Sequence, residues 1–168
     1  MDKILVLGAL EELGFEMTTC LLEEGYEVCG IHLQTGEEVV YDERRLEIGR
    51  NANFSEISLT EWMKQEDVNA PTTWLFMNDF DENISGFELV KNSELIRRIQ
   101  SMASFPKNRV VFIHPFSQWG NRNVLESVGS VKNFFVPLPK KEQAARFYKE
   151  QELEEFQSIF KAILDLVC

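Results

Sequence analysis

The sequence predicts an α/β domain built on a doubly wound, mostly parallel sheet. Short apolar segments of strand length alternate with amphipathic helical segments along the chain. The first strand, helix and second strand are joined by connections as short as a β-α-β unit requires. With no internal repeat, low-complexity stretch or interdomain linker in 168 residues, one domain spanning 1–168 is expected.

The elements follow in order. Lys3-Ile-Leu-Val-Leu-Gly8 is a short apolar run stopped by glycine, suited to a strand buried on both faces. From Glu12 to Glu24, Leu13, Met17, Cys20 and Leu21 recur at helical spacing, Glu16, Glu23 and Glu24 take the outer positions, and Gly25 ends the helix. Tyr26 to Ile31 reads as the second strand. Between 33 and 53 the pattern predicts a turn at Gln34-Thr-Gly36, a short extended piece at Val39-Val-Tyr41 and a helical turn from Asp42 to Ile48. A strand is expected over Asn53–Ile57, a helix N-capped by Thr60 through Gln65, and a β-branched and aromatic strand over Thr72–Met77. Helix from Phe87 to Ala103, strand from Arg109 to His114, a short helix near Asn123–Ser127 and strand from Asn133 to Val136 continue the alternation. The last element, Glu142 to Val167, carries Phe156, Ile159, Phe160, Ile163, Leu164 and Val167 as one apolar stripe.

Charge and cysteine content exclude several classes of function. A formal net charge of −11 presents nucleic acid with a repulsive average field, and the cations at Lys140, Lys141, Arg146 and Lys149 are interspersed with Glu142 and Glu150 as on a solvated helix start. Cys20, Cys29 and Cys168 form no C-x-x-C pair and suggest neither zinc nor a disulfide framework, so they read as free thiols of a reducing compartment. The apolar run at the N-terminus is too short for a signal peptide or a membrane span. A cytoplasmic protein without nucleic-acid or membrane partners is expected.

At Leu7-Gly-Ala-Leu-Glu-Glu-Leu-Gly14, followed by helix and second strand, the sequence resembles the extended short-chain dehydrogenase/reductase family, the NAD(P)-dependent nucleotide-sugar epimerase type. The resemblance implies a Rossmann-like fold that opens on a strand, a G-x-x-G-x-x-G turn, a helix and a second strand ending in an acidic residue. In that turn the first glycine makes the tight bend, the second lets backbone approach the pyrophosphate, and the third lets helix and strand pack closely. Gly8 and Gly14 stand at the first and third positions, while Glu11 stands at the second. A carboxylate a few ångström from a pyrophosphate costs about 1 kcal/mol in water and several at protein-like dielectric. A helix N-terminus does favour Glu, so Glu11 is expected to occupy the anion site itself. By the family's layout the ribose-binding acidic position falls on His32, which is read either as a polar strand-end residue or as a hydroxyl ligand.

The resemblance returns in Arg109-Val-Val-Phe-Ile-His-Pro-Phe-Ser-Gln-Trp-Gly120, where Trp119 and Gly120 match the tail of the family's catalytic serine segment. The catalytic hydroxyl position falls on Pro115, with Ser117 two residues away. The family's tyrosine and lysine four residues apart are missing, since Tyr41 is followed at that spacing by Arg45 and Tyr148 by Glu152. Beyond Gly120 the chain passes through one short helix and Phe134-Phe-Val-Pro-Leu-Pro139 to the last helix, so the resemblance implies a domain shortened on its C-terminal side, without the catalytic helix.

Other constellations are weaker. Asp79, Asp81 and Asn83 have calcium-loop spacing, but Ile84 and Val90 replace the required Gly and Glu, and a solvated loop explains them. Glu11 and Glu12 point in different directions on a helix. His32 and His114 both fall at strand ends and could approach one another, yet no Ser or Cys stands in a nucleophile setting. The expectation is a protein with no catalytic residues, no metal and no cofactor, acting through contacts with a protein partner or through regulatory small-molecule binding. Its degenerate cofactor-binding positions are Gly8, Glu11, Gly14 and His32. The alternative is an enzyme or sensor binding NAD(P) or another nucleotide through a rearranged turn. For the C-terminal stripe two outcomes stand: pairing with a second copy as a homodimer, or packing on its own sheet.

Overall fold

The computed structural model describes residues 3–32, 38–65, 72–77, 93–115, 132–136 and 150–167. Six strands, β1 (Lys3–Leu7), β2 (Glu27–His32), β3 (Phe54–Ser58), β4 (Thr72–Met77), β5 (Arg109–Pro115) and β6 (Lys132–Val136), form one sheet in the order β3-β2-β1-β4-β5-β6. Every neighbouring pair is parallel. This is the strand order of the Rossmann fold, in which the direction of winding reverses beside β1 and opens a crevice at the carboxyl ends of the strands. The expected fold class is the observed one.

The helices are α1 (Glu12–Glu23), α2 (Glu38–Ile48), α3 (Leu59–Lys64), α4 (Ser93–Ala103) and α5 (Glu150–Val167). Two apolar layers show how they cover the sheet. Ile4, Val6 and Val28 pack with Met17 and Leu21 of α1, Tyr41 and Ile48 of α2, and Phe160, Ile163 and Leu164 of α5. Leu5, Leu7, Cys29 and Ile31 turn to the other face, against Trp62 of α3 and Leu95, Ile99 and Met102 of α4. Successive residues of β1 and β2 thus enter opposite cores, which is why both strands are apolar at nearly every position.

Local chemistry sets the ends. Gly25, at φ 85°, closes α1: its N–H donates to the Leu22 carbonyl and the Tyr26 N–H to the Leu21 carbonyl, the paired bonds of a Schellman motif. The N-cap of α3 is Ser58, not Thr60. The Ser58 hydroxyl accepts from the Glu61 N–H at 3.2 Å while the Glu61 carboxylate accepts from the Ser58 N–H at 3.1 Å, a reciprocal box that a cap at Thr60 would forgo. The extended piece expected at Val39–Tyr41 is helical, part of an eleven-residue α2. The stretches 87–92, 123–127 and 142–149, expected as helix, lie outside the described residues, as do the 79–83 loop and the turn at 34–36.

The central residues of the C-terminal stripe pack inside their own chain. Phe160, Ile163 and Leu164 are buried with α1, while Leu166 on the opposite face is 67% exposed. Packing on the chain's own sheet removes this apolar surface from water without the entropy of association that pairing with a second copy would add. Phe160→Ala is therefore expected to cost about 3–5 kcal/mol in urea denaturation, and Leu166→Ala to stay within about 0.5 kcal/mol of wild type.

Candidate functional site

The site is the turn between β1 and α1, at the carboxyl end of the sheet. Gly8 has φ 81°, a left-handed conformation that glycine alone adopts at little cost, and its N–H donates to the Ile31 carbonyl at 2.8 Å, tying the turn to β2. Gly14, one turn into α1, lies directly on it: a β-carbon there would stand 1.8 Å from the Gly8 carbonyl oxygen. The two glycines thus do the bending and close-packing work expected of them.

Glu11 is the N-cap of α1, in extended conformation, yet its side chain makes no capping hydrogen bond. Tyr41 of α2 donates its hydroxyl to Glu11 Oε1 at 2.5 Å, across thirty positions of chain. The Glu11 carboxylate thus accepts from a phenol of the neighbouring helix and makes no capping hydrogen bond to its own. Three residues on, Arg44 donates from Nη1 to the Leu10 carbonyl and lays its guanidinium 5.5 Å from the centroid of the Phe15 ring. One side of α2 therefore reaches the turn at both Leu10 and Glu11.

His32 ends β2, nine-tenths buried, and its Nε2 lies 3.3 Å from Glu56 Oε1 on β3. The carboxylate missing from the end of β2 is thus present on the adjacent strand. It is already engaged: Arg45 donates from Nε and Nη2 to Glu56 at 2.8 to 3.0 Å and from Nη1 to Asp42 at 3.1 Å. His32 Nδ1 is buried with no hydrogen-bond partner among the described residues. His114 is fully buried beside Phe112, their ring centroids 5.4 Å apart. It stands three strands from His32, about 14 Å by sheet spacing, so the two histidines do not meet.

Pro115, at the position aligned with the family's catalytic hydroxyl, is the last residue of β5 and pairs with Val136. Ser117, Trp119, Gly120 and Tyr148 lie outside the described residues. Among the described residues no cluster of His, Cys, Asp or Glu could hold a metal ion, and no helix is long and apolar enough to cross a membrane. Burial, with Glu23, Glu16 and Glu24 nearby, pushes the Cys20 thiol up to about 11, so it carries no thiolate at neutral pH.

Tyr41, Arg44, Arg45 and Glu56 carry much of this geometry and are absent from the sequence-based candidates. Glu56 stands in the middle of β3, paired in register with Gly30, so a count to the strand end passes it by. Nothing local marks Tyr41 or Arg44, whose partners are thirty and more residues away.

No family model matches the chain, and neither does any curated protein. Solved structures do. A short-chain dehydrogenase/reductase family oxidoreductase from Aeromonas hydrophila is similar at TM-score 0.54 and 18% identity, over 94% of this chain and 90% of that one. The yeast methylglyoxal/isovaleraldehyde reductase complexed with NADPH aligns at TM-score 0.47 and 16% identity over 68% of this chain. The Bacillus cereus UDP-glucuronic acid 4-epimerase, in complex with a fluorinated UDP-sugar and NAD, aligns at TM-score 0.47 and 14% identity over 95% of this chain. The chain spans 37% of the yeast reductase and 52% of the epimerase. The fold is the Rossmann-like fold of short-chain dehydrogenase/reductase proteins, as the resemblance implied. The expectation of a protein without a cofactor is corrected by neighbours solved with NADPH and with NAD bound.

Two outcomes test the site. Gly14→Ala should destabilise the chain by at least about 1–3 kcal/mol in urea denaturation, since even a methyl group meets backbone there. Glu16 of α1 is the second: burial, then Glu47, raises its pKa despite the nearby Arg44. A carboxyl whose folded pKa lies above its unfolded value is a burden when ionised, and that burden disappears as pH falls below the unfolded value of about 4.3. Glu16→Gln should therefore melt higher than wild type at pH 7, with the gap closing toward pH 4.

Proposed function

We propose that this chain is a dinucleotide-responsive regulatory protein: it binds NAD(P) at the β1–α1 turn and acts through a protein partner, without carrying out hydride transfer. The observation that supports it is a division within one crevice. The turn keeps its glycine geometry at Gly8 and Gly14, while the strand-end position aligned with the catalytic hydroxyl is Pro115. Proline has no group that donates or accepts a proton in its side chain, and the sequence has no tyrosine followed four residues later by lysine. A Rossmann turn with proline at the aligned hydroxyl position and no tyrosine–lysine pair at four-residue spacing fits recognition of a dinucleotide better than its chemistry.

The turn offers a dinucleotide the N-terminus of α1 and a crevice where the winding reverses. Against this stands the Glu11 carboxylate, so affinity should be modest. At the ribose position His32 lies 3.3 Å from Glu56, whose carboxylate Arg45 already engages, so a ribose hydroxyl would have to compete for it. A reducing compartment, the cytoplasm, suits the free Cys20 and Cys29.

Calorimetric titration with NAD⁺, NADH, NADP⁺ and NADPH tests the proposal. At least one should bind with Kd below about 1 mM, with no change in nicotinamide absorbance on incubation with carbonyl or alcohol substrates. Absence of binding for all four, or catalytic turnover of any, would overturn it.

A further inference from the structure

α2 is held to the rest of the chain in an unusual way for a helix of this fold layer. Only Tyr41 and Ile48 of its residues are buried, whereas α1 buries Phe15, Met17, Leu21 and Leu22. Beside Tyr41 and Ile48 stand Arg44 and Arg45, which follow Tyr41 at the three- and four-residue spacing that places side chains on one face, and Val40 is a further apolar residue, partly buried. Arg45 binds Glu56, and Tyr41 and Arg44 bind the turn. An element with little buried apolar surface, attached chiefly through polar contacts, belongs to the low-stability end of a structure and opens locally before the core does.

What those contacts hold is the segment a dinucleotide needs. Glu11 stands at the position where the resemblance puts the phosphate-approach glycine, and Tyr41 fixes its carboxylate there while the end of α1 receives no side-chain cap from it. The contrast lies in the same chain: at α3 the N-cap Ser58 does bond into its own helix. Arg44 meanwhile takes up the Leu10 carbonyl and covers Phe15, fixing the residues on both sides of Glu11.

We propose that α2 is an autoinhibitory clasp on the dinucleotide turn. With the clasp closed, Tyr41 keeps an anion at the pyrophosphate position and Arg44 pins the turn. With it open, the Glu11 side chain is released and the turn is free to receive phosphate. The proposal rests on the reading of this turn as a dinucleotide site. Apparent affinity is then the intrinsic affinity scaled by the fraction of molecules with the clasp open, so weakening the clasp tightens binding without any new contact to ligand.

Two variants and two measurements test it. Tyr41→Phe removes the hydroxyl and keeps the buried ring; Arg44→Met removes the guanidinium and keeps an apolar stem. Hydrogen exchange on the ligand-free protein reads the clasp directly, and NADH titration, followed by nicotinamide fluorescence and by calorimetry, reads its effect. Exchange over residues 8–15 is expected to speed up several-fold in both variants, and NADH to bind about tenfold more tightly than to wild type. Unchanged exchange would mean that these contacts do not hold the turn, and would overturn the proposal. Faster exchange with NADH affinity unchanged or weaker would assign the contacts a packing role only and overturn it too, leaving the dinucleotide reading in place. If NADH binds to none of the three proteins and NAD⁺, NADP⁺ and NADPH fail as well, the dinucleotide reading falls and the clasp falls with it.

Discussion

A β-carbon on residue 14 would have to share space with the carbonyl oxygen of Gly8, and the rest of the architecture depends on that space staying empty. The contact sets how closely α1 lies on β1, and β1 is the strand with neighbours on both sides at the point where the winding reverses. Once α1 is seated, Met17 and Leu21 reach the layer formed by Ile4, Val6 and Val28, and α5 closes over α1 with Phe160, Ile163 and Leu164. The left-handed Gly8 is the other half of the same device, because it turns the chain sharply enough for α1 to return along β1.

The same turn separates two demands that one short motif ordinarily meets together. Packing needs Gly8 and Gly14; approach of a phosphate needs the position between them. Glu11 alters only the second, which is why the fold keeps the short-chain dehydrogenase/reductase arrangement while its contacts at the crevice differ. Its carboxylate, the phenol of Tyr41 and the guanidinium of Arg44 form a polar junction between α1 and α2, and Arg45 extends it through Glu56 to His32 at the end of β2. Strands β2 and β3 and helices α1 and α2 are thereby joined by charged and hydrogen-bonding groups, where α2 buries little apolar surface.

How much of this was legible in the sequence follows from where the signal resides. Strands such as β1 and β5 are continuous apolar runs, and their burial on two faces writes itself into composition. α5 showed its stripe because Ile159, Phe160, Ile163 and Leu164 all face one layer. α2 did not, since its inward side reads Tyr41, Arg44, Arg45, Ile48 and an argument from hydrophobic periodicity sees half of that as solvent-facing. The start of α3 was misplaced by two residues although Ser58 and Glu61 carry the capping-box spacing in plain view. The Glu11–Tyr41 pair is different in kind: its members are brought together by the β-α-β crossover, and no local pattern encodes a crossover's landing point.

The sheet order also bears on how the chain reaches this structure. β1 pairs on one side with β2, and on the other with β4, where Lys3 is matched to Thr72. The segments β1, α1, β2, α2 and β3 can assemble from the first 58 residues, but one edge of the central strand then carries unpaired N–H and C=O groups until β4 has been synthesised. Parallel pairing between distant segments is slow to form, because loop closure must come before the contacts that reward it. β4 is thus the strand that pairs the second edge of β1 and joins the two halves of the sheet, so the ladder of the central strand is complete only when segments about seventy residues apart have met.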